Sequence, residues 1–389
     1  MKIVLINTYF YPDMYGGTEK VILDLARKYN KNNEVFVICL GKETKQFKYE
    51  NIVIYKINNG YNLYPSNIAK KMKNKFIDTF GSKLKEFERI LKEIKPDIVH
   101  THGLPGISSK IWEICYKNNI KIVDTIHDYW KYSFDGKEKS IGKIINFIHN
   151  HMLRKNSKYV NYVTAPTKFM LDPIKKLKYY KNAEKKVIPN GFDINYVDLE
   201  NILIKKKQKE FINVKFLYVG QLIEKKGILN FIDSYMRVNG NNEHCMLSIC
   251  GDGDCKSKLL EKIKKNNNIR YLGKLNEAEL KKVYSESDIL VVPSLWNEPF
   301  GLVTIEGLLF GLIVLGSNNG GIAENLKKMS IDSIFDPKDN CSFDGIIRYF
   351  SIPKNIYNYY NNLIIKDQIN LIRQFDIDNI VVDYLEIYK

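Results

Sequence analysis

Short apolar runs alternate with amphipathic stretches from one end of the chain to the other. KIVLIN, EVFVIC, NIVIYKI, DIVHTH, KIVDTIH and YVNYVTAP are apolar enough, and short enough, to be buried strands. Between them the apolar spacing becomes helical, over 18–30, 83–94 and 107–117. The scheme then repeats. FLYVG, MLSICG, IRYLG, ILVVPS and LIVLGS predict strands, separated by helices such as 227–238 and 276–285. Strands that alternate with helices in this way build βαβ units on parallel sheets. The expectation is an α/β chain of two parallel-sheet domains, 1–195 and 196–369, joined near 190–212, where NGFD and the Lys-rich NILIKKKQKE suggest an exposed linker. The last segment, 370–389, shows an apolar helical face through Ile377, Val381, Tyr384 and Leu385, and is expected to pack back on the first domain.

A length of 389 residues suits two domains of similar size. No run of 18 apolar residues exists, so a membrane-spanning helix is excluded. The N-terminal apolar run reads as a strand rather than a leader, which places the protein in the cytoplasm. The six cysteines form no CxxC pair and read as buried, reduced thiols. Charge changes the picture more. Residues 1–195 hold 35 Lys+Arg against 19 Asp+Glu, whereas 196–389 hold 25 of each. The whole excess of +16 therefore sits in the first half, which suggests an anionic partner for that half alone.

The segment richest in candidate chemistry is PSLWNEPFGLVTIEGLLFG, residues 293–311. A strand ends in a loop carrying Glu298, and a helix begins near Pro299–Leu302. Its first amides, at Phe300, Gly301 and Leu302, could bind a diphosphate, and Gly301 lets a ligand approach the backbone. Glu306, eight residues after Glu298, lies inside the helix and could accept two hydrogen bonds from a ribose diol. Taken singly, a salt-bridged loop acid and an ordinary helical acid would read the same way.

Together, however, E-P-F-G-L-x-x-x-E-G followed by G-x-x-x-G-G-x-x-E resembles the E-x7-E signature of the retaining glycosyltransferases of family 4. These have the GT-B architecture, two Rossmann-like domains facing a cleft. The resemblance covers most of the chain. It implies that Glu306 holds the ribose hydroxyls of a nucleotide-sugar donor and that Glu298 contacts the donor sugar near the reacting centre. Phe300, Gly301 and Leu302 would lie against the diphosphate and sugar. YFYPDMYGGTE resembles the family's first loop, with Gly16 and Gly17 meeting donor and acceptor. IHDYW resembles its His-Asp pair, with His127 on the donor sugar, and IPNGFD its interdomain turn. YVGQLIEKKG resembles the first strand and loop of the nucleotide domain, where Lys226 would neutralise the diphosphate. Gln221 stands where many members have Arg, and it can donate a hydrogen bond but brings no charge. Gly251 and Gly273 match strand-end glycines that flank the base. The Asp252-Gly-Asp254 triplet reads as a turn, so no metal is expected; His100 and His102, two apart on one strand, read as cleft lining.

The reaction this implies is transfer of a sugar from a nucleoside diphosphate to an acceptor hydroxyl with retention of configuration. His127, Glu298 and Lys226 would be the catalytic residues and electrostatics the main device. In this architecture the basic first half is the acceptor domain. Lys70, Lys71, Lys73, Lys75, Lys83, Lys85, Arg89 and Lys92 interleave with Ile68, Met72, Phe76, Ile77 and Phe80, and a second cluster is Lys137, Lys139, Lys143, Arg154, Lys155 and Lys158. Such segments suit an anionic membrane surface, and with it a lipid-linked saccharide acceptor in polysaccharide or glycolipid synthesis. No nucleic-acid module is visible. Two alternatives stay open: a catalytically weak sugar-nucleotide-binding subunit that scaffolds a partner, and a sugar phosphorylase or synthase of the same architecture.

Overall fold

The structure is a computed structural model and describes residues 1–62, 65–129, 140–176, 179–329 and 333–389. Among these residues the chain divides into two compact units. One is Met1–Asp193 with Phe375–Lys389, and the other is Ile194–Gln374.

The first unit is built on β1 (Lys2–Ile6), β2 (Glu34–Leu40), β3 (Lys45–Tyr49), β4 (Ile52–Ile57), β5 (Ile98–Thr101), β6 (Lys121–Thr125), β7 (Tyr162–Ala165) and β8 (Glu184–Val187). Among the described residues they form one sheet in the order β3-β4-β2-β1-β5-β6-β7-β8. The register sets Leu5 between Val37 and His100. The central strands are covered on both faces, which is why they read as unbroken apolar runs. The two edge strands escape that pattern. KQFKY (β3) pairs antiparallel with β4 at one edge of the otherwise parallel sheet, and EKKV (β8) closes the other edge. Edge strands face solvent and carry lysines that discourage further pairing, so no hydrophobic run marks them.

The second unit holds β9 (Val214–Val219), β10 (Cys245–Cys250), β11 (Ile269–Gly273), β12 (Ile289–Val292), β13 (Ile313–Ser317) and the two-residue β14 (Ile334–Phe335). Their order is β11-β10-β9-β12-β13-β14, with every pairing parallel. The chain winds outward from β9 to one edge and returns from β12 to the other, so the order reverses between these two strands. In open α/β sheets a crevice forms beyond the strand C-termini at such a reversal. Here β9 and β12 pair only through Phe216–Ile289 and Leu217–Leu290, leaving the strand ends apart.

Two features of the joint differ from the sequence expectation. The Lys-rich segment is not a solvated linker but the helix Tyr196–Gln208, whose first amides, Val197 and Asp198, donate to the Asn195 side chain. Lys206 is buried and donates to the Ser287 carbonyl (2.5 Å), while Lys209 lies 2.5 Å from the fully buried Asp288. Asp288 had to be neutralised, and these lysines do it. The chain also returns to the first unit at Phe375, not 370. There Phe192 forms a bridge with Asp376, and the helix Ile377–Tyr388 follows. That helix buries Ile377, Ile380, Tyr384, Ile387 and Tyr388; Val381 and Leu385, expected on the buried face, are only half covered.

Candidate active site

The segments after the C-terminal ends of β9 and β12 carry Lys226 and Glu298, and the helix that follows the second of them carries Glu306. The chain leaves β9 through Gly220 and Gln221, makes the short 3-10 turn Glu224–Lys226, and enters the helix Ile228–Asn239 at Gly227. Gly227 has φ +72°, and a Cβ there would lie 1.9 Å from the Pro293 carbonyl oxygen at the end of β12. Only glycine permits both the left-handed backbone and that approach. The two loops are thereby stitched together, with the Leu295 amide donating to the Lys225 carbonyl (2.9 Å).

This stitching sets Lys226 against Glu298. The ammonium lies 2.6 Å from Oε1, and the same oxygen accepts from the Ser294 hydroxyl (2.6 Å) and the Trp296 indole N–H (2.9 Å). Lys225 stacks on the Trp296 ring, 4.3 Å from its centroid. Glu298 is buried and Lys226 is half-buried. A buried carboxylate with three donors is fully compensated, and its lysine is held in one place. Gln221 is exposed, and its carbonyl oxygen accepts from the Tyr218 hydroxyl (2.9 Å). Gly251, after β10, comes so close to Gly220 that a Cβ would sit 1.8 Å from the Gly220 oxygen.

Beyond Glu298 the backbone is fixed by the helix Gly320–Lys328, which follows β13. The Glu298 carbonyl accepts from the Gly321 amide (2.7 Å), and the Phe300 carbonyl from the Asn325 side chain (2.8 Å). Gly301, at φ +82°, caps the helix Leu302–Leu309. The Phe300 ring is buried, so its backbone is the part that can meet a ligand. Gly307 lets this helix press on the sheet, since a Cβ there would come within 2.5 Å of Leu290. Glu306, one residue earlier, is held at a fixed height above the strand and accepts from the Tyr284 hydroxyl (3.1 Å). Leu302 begins the helix, where its amide has no partner within the first turn of an α-helix.

In the first unit the corresponding reversal lies between β1 and β5. Gly16 and Gly17 are exposed after β1, and the helix Gly17–Tyr29 starts there. The Gly16 amide donates to the Glu19 carboxylate (2.8 Å), so an acid already occupies part of that helix N-terminus. Burial pushes the Glu19 pKa up, and the nearby Asp128 charge adds to the effect. His127, after β6, shares a 2.9 Å hydrogen bond between its Nε2 and Nδ1 of His102. The expectation of His100 as cleft lining is not met. His100 is fully buried, bonded through Nδ1 to the Tyr388 hydroxyl (2.6 Å) and through Nε2 to Thr125 (2.7 Å). It anchors the C-terminal helix. His102 is also buried and meets His127 through that hydrogen bond. Trp130, in the His-Asp segment, lies outside the described residues.

Residues 15–196 match the model of Glycosyltransferase Family 4, and residues 201–363 match that of Glycosyl transferases group 1. The chain is a family 4 glycosyltransferase. It is 28% identical, over its whole length and that of the relative, to an uncharacterised 42.6 kDa protein in the cps region of Klebsiella pneumoniae. Sucrose-phosphate synthase from Thermosynechococcus elongatus shares its fold at TM-score 0.73 and 16% identity, covering 100% of this chain and 98% of that one. Anabaena HepE, solved with UDP and glucose, does so at TM-score 0.69 and 17% identity, covering 99% and 98%. The fold is GT-B, with two Rossmann-like domains.

The glycosyltransferase's motif residues are visible in the sequence, but the groups that hold them are not. Ser294 and Trp296 belong to the Glu298 segment itself, and their donors were the available signal. Tyr284 precedes Glu306 by 22 residues and belongs to no motif, so only the packing of its helix reveals the pair. The bond between His102 and His127 was likewise invisible, because it depends on β5 and β6 being neighbours.

Proposed function

We propose that this glycosyltransferase moves a sugar from a nucleoside-diphosphate donor to an acceptor hydroxyl with retention of configuration. The observation that carries the reading is the Lys226–Glu298 pair, 2.6 Å apart at the strand-order reversal of a doubly wound sheet. A diphosphate leaving group builds negative charge as the glycosidic bond breaks, and a fixed lysine beside helix N-terminal amides stabilises it. Glu298 would face the positive character at the sugar carbon, Glu306 the ribose hydroxyls, and Gly301, Leu302, Gly251 and Gln221 the phosphates and base. His127, with Gly16 and Gly17 in the same unit, would meet the donor sugar and the acceptor. A solved neighbour that holds UDP supports the donor class. A relative from a cps region supports an acceptor in surface polysaccharide or glycolipid synthesis, and a lipid-linked saccharide fits the basic first unit.

In this reading Lys226 and the helix amides stabilise the leaving group without a divalent ion. Incubation with UDP-, GDP- and ADP-sugars should identify the donor by a rise in melting temperature. With that donor, Glu298→Gln should lose roughly 10²–10³ in turnover, as expected for removing one electrostatic contact of the transition state. EDTA should leave turnover unchanged. Donor binding with no transfer to any acceptor, in both the parent and the variant, would instead favour a sugar-nucleotide-binding subunit.

A further inference from the structure

The carboxylate of Glu306 is not left to find its own orientation. Tyr284, on the helix Glu277–Glu286, is buried, and its ring stacks on Phe310 with centroids 5.0 Å apart and planes 9° from parallel. Phe310 directly follows the helix that carries Glu306, so the stack ties the phenol to that helix end. The hydroxyl at the tip of the ring donates to Oε2 of Glu306 (3.1 Å). Burial and the Glu306 charge both push the Tyr284 phenol well above its ordinary pKa, so it remains a donor at any physiological pH. The helix itself cannot slide, because Gly307 seats it directly on Leu290 and Val314.

We infer that Tyr284 is a positioning residue for nucleotide recognition, fixing the plane of the Glu306 carboxylate so that it pairs with both hydroxyls of a ribose. The inference rests on the reading of Glu306 given above. Its chemical content is selectivity for ribo- over 2′-deoxyribonucleotides. A carboxylate accepts a vicinal diol through two hydrogen bonds only if its plane is set beforehand, and a freely rotating one loses most of that advantage. Tyr284→Phe keeps the stack and the volume and removes only the donor.

The test is isothermal titration of the full chain with UDP, GDP and ADP and their 2′-deoxy counterparts. The parent should prefer the ribo form of its nucleotide by about tenfold or more, as expected for a hydrogen bond to a charged group. In Tyr284→Phe that ratio should fall severalfold, while affinity for the 2′-deoxy form stays within about twofold. Glu306→Gln should lose the preference too, and adding Tyr284→Phe to it should change nothing further. Phe310→Leu loosens the stack but keeps the hydroxyl, and serves if the Tyr284 variant does not fold; it should also lower the ratio. A parent preference that survives intact in Tyr284→Phe or Phe310→Leu overturns the inference while sparing the role of Glu306. A parent that binds both forms equally overturns that role and the inference together, and a parent that binds none of the six overturns the donor class.

Discussion

At the scale of single residues the candidate site depends on close backbone approaches as much as on charge. Gly227 shows this most clearly, because its turn positions Lys226 and its Cα faces the Pro293 carbonyl. Replacing it with Ala adds left-handed strain, about 1–3 kcal/mol, and a methyl group 1.9 Å from backbone oxygen that cannot move aside. Gly273 offers the control, with a similar φ of +75° and nothing within 4 Å of its Cβ. Gly273→Ala should therefore cost only the strain, whereas Gly227→Ala should cost clearly more and abolish donor binding. Urea unfolding of both variants, followed by nucleotide titration, measures the difference. The Lys226 turn was legible as a motif, but the reason for its glycine was not. The carbonyl that excludes a side chain comes from Pro293, 66 positions further along.

The elements that pack beside the first sheet bring a different kind of consequence. The helix Ile68–Phe80 lies against the helix Ser140–Asn156, where the Thr79 hydroxyl and His149 Nδ1 are 3.4 Å apart. Asp78 accepts from the Gly106 amide (2.6 Å); the residue is partly covered, but its carboxyl is enclosed, and burial raises its pKa to about 7. Burial, with Lys75 nearby, lowers that of His149 to about 4. The two act oppositely on stability. Asp78 holds its proton more tightly when folded, so its contribution is present at low pH and is lost as pH rises from about 4 to about 7. His149 resists protonation when folded, so its contribution is present above about 6.5 and is lost as pH falls towards 4. Relative to the parent, Asp78→Asn should make stability rise more steeply with pH between about 4 and 6.5, and His149→Gln should make it fall more steeply. Denaturation midpoints collected across that range would show either change. Neither group stood out in the sequence, since an acid and a histidine on amphipathic helices read as ordinary surface residues until their neighbours are known.

For the molecule as a whole, charge is the property with the widest consequence. Residues 375–389 bring four acids and one lysine, which lowers the first unit's formal charge to +13 and leaves +3 on the second. The asymmetry survives the redrawn boundary. On the helix Ile68–Phe80 the exposed Ile68 (77%), Met72 (44%) and Phe76 (59%) follow one another at four-residue spacing, with Lys70, Lys71 and Lys73 exposed beside them. The adjacent helix exposes Phe147 (74%). A basic face with an apolar ridge is what an anionic membrane surface attracts and then accommodates. The second expected basic cluster contributes less that can be described, because Lys137 and Lys139 lie outside the described residues and Arg154 packs over the Tyr179 ring. Flotation with phosphatidylglycerol-containing vesicles should carry the protein, and neutralising Lys70, Lys71 and Lys73 should weaken binding by roughly 10²-fold at about 1 kcal/mol per charge. Ile68→Ser with Phe76→Ser should weaken it further in a way that salt does not reproduce. Binding indifferent to both sets of changes would rule the surface out.

By itself the sequence determined the α/β class, two successive parallel-sheet modules and the family, because these follow from local periodicity and from motifs read along one strand-loop-helix unit. It singled out Glu298, Glu306, Lys226, Gly301 and His127 as candidates for the same reason. Tertiary structure decided everything that depends on which strands are neighbours. The solvent-facing edge strands β3 and β8 have no apolar run to announce them. The lysines of the presumed linker became the partners of buried Asp288. His100 became the anchor of the C-terminal helix instead of a site residue, and Tyr284 and His102 joined Glu306 and His127. Each of these side-chain contacts joins residues 22 or more positions apart, and a hydrogen bond between them leaves no mark on local composition.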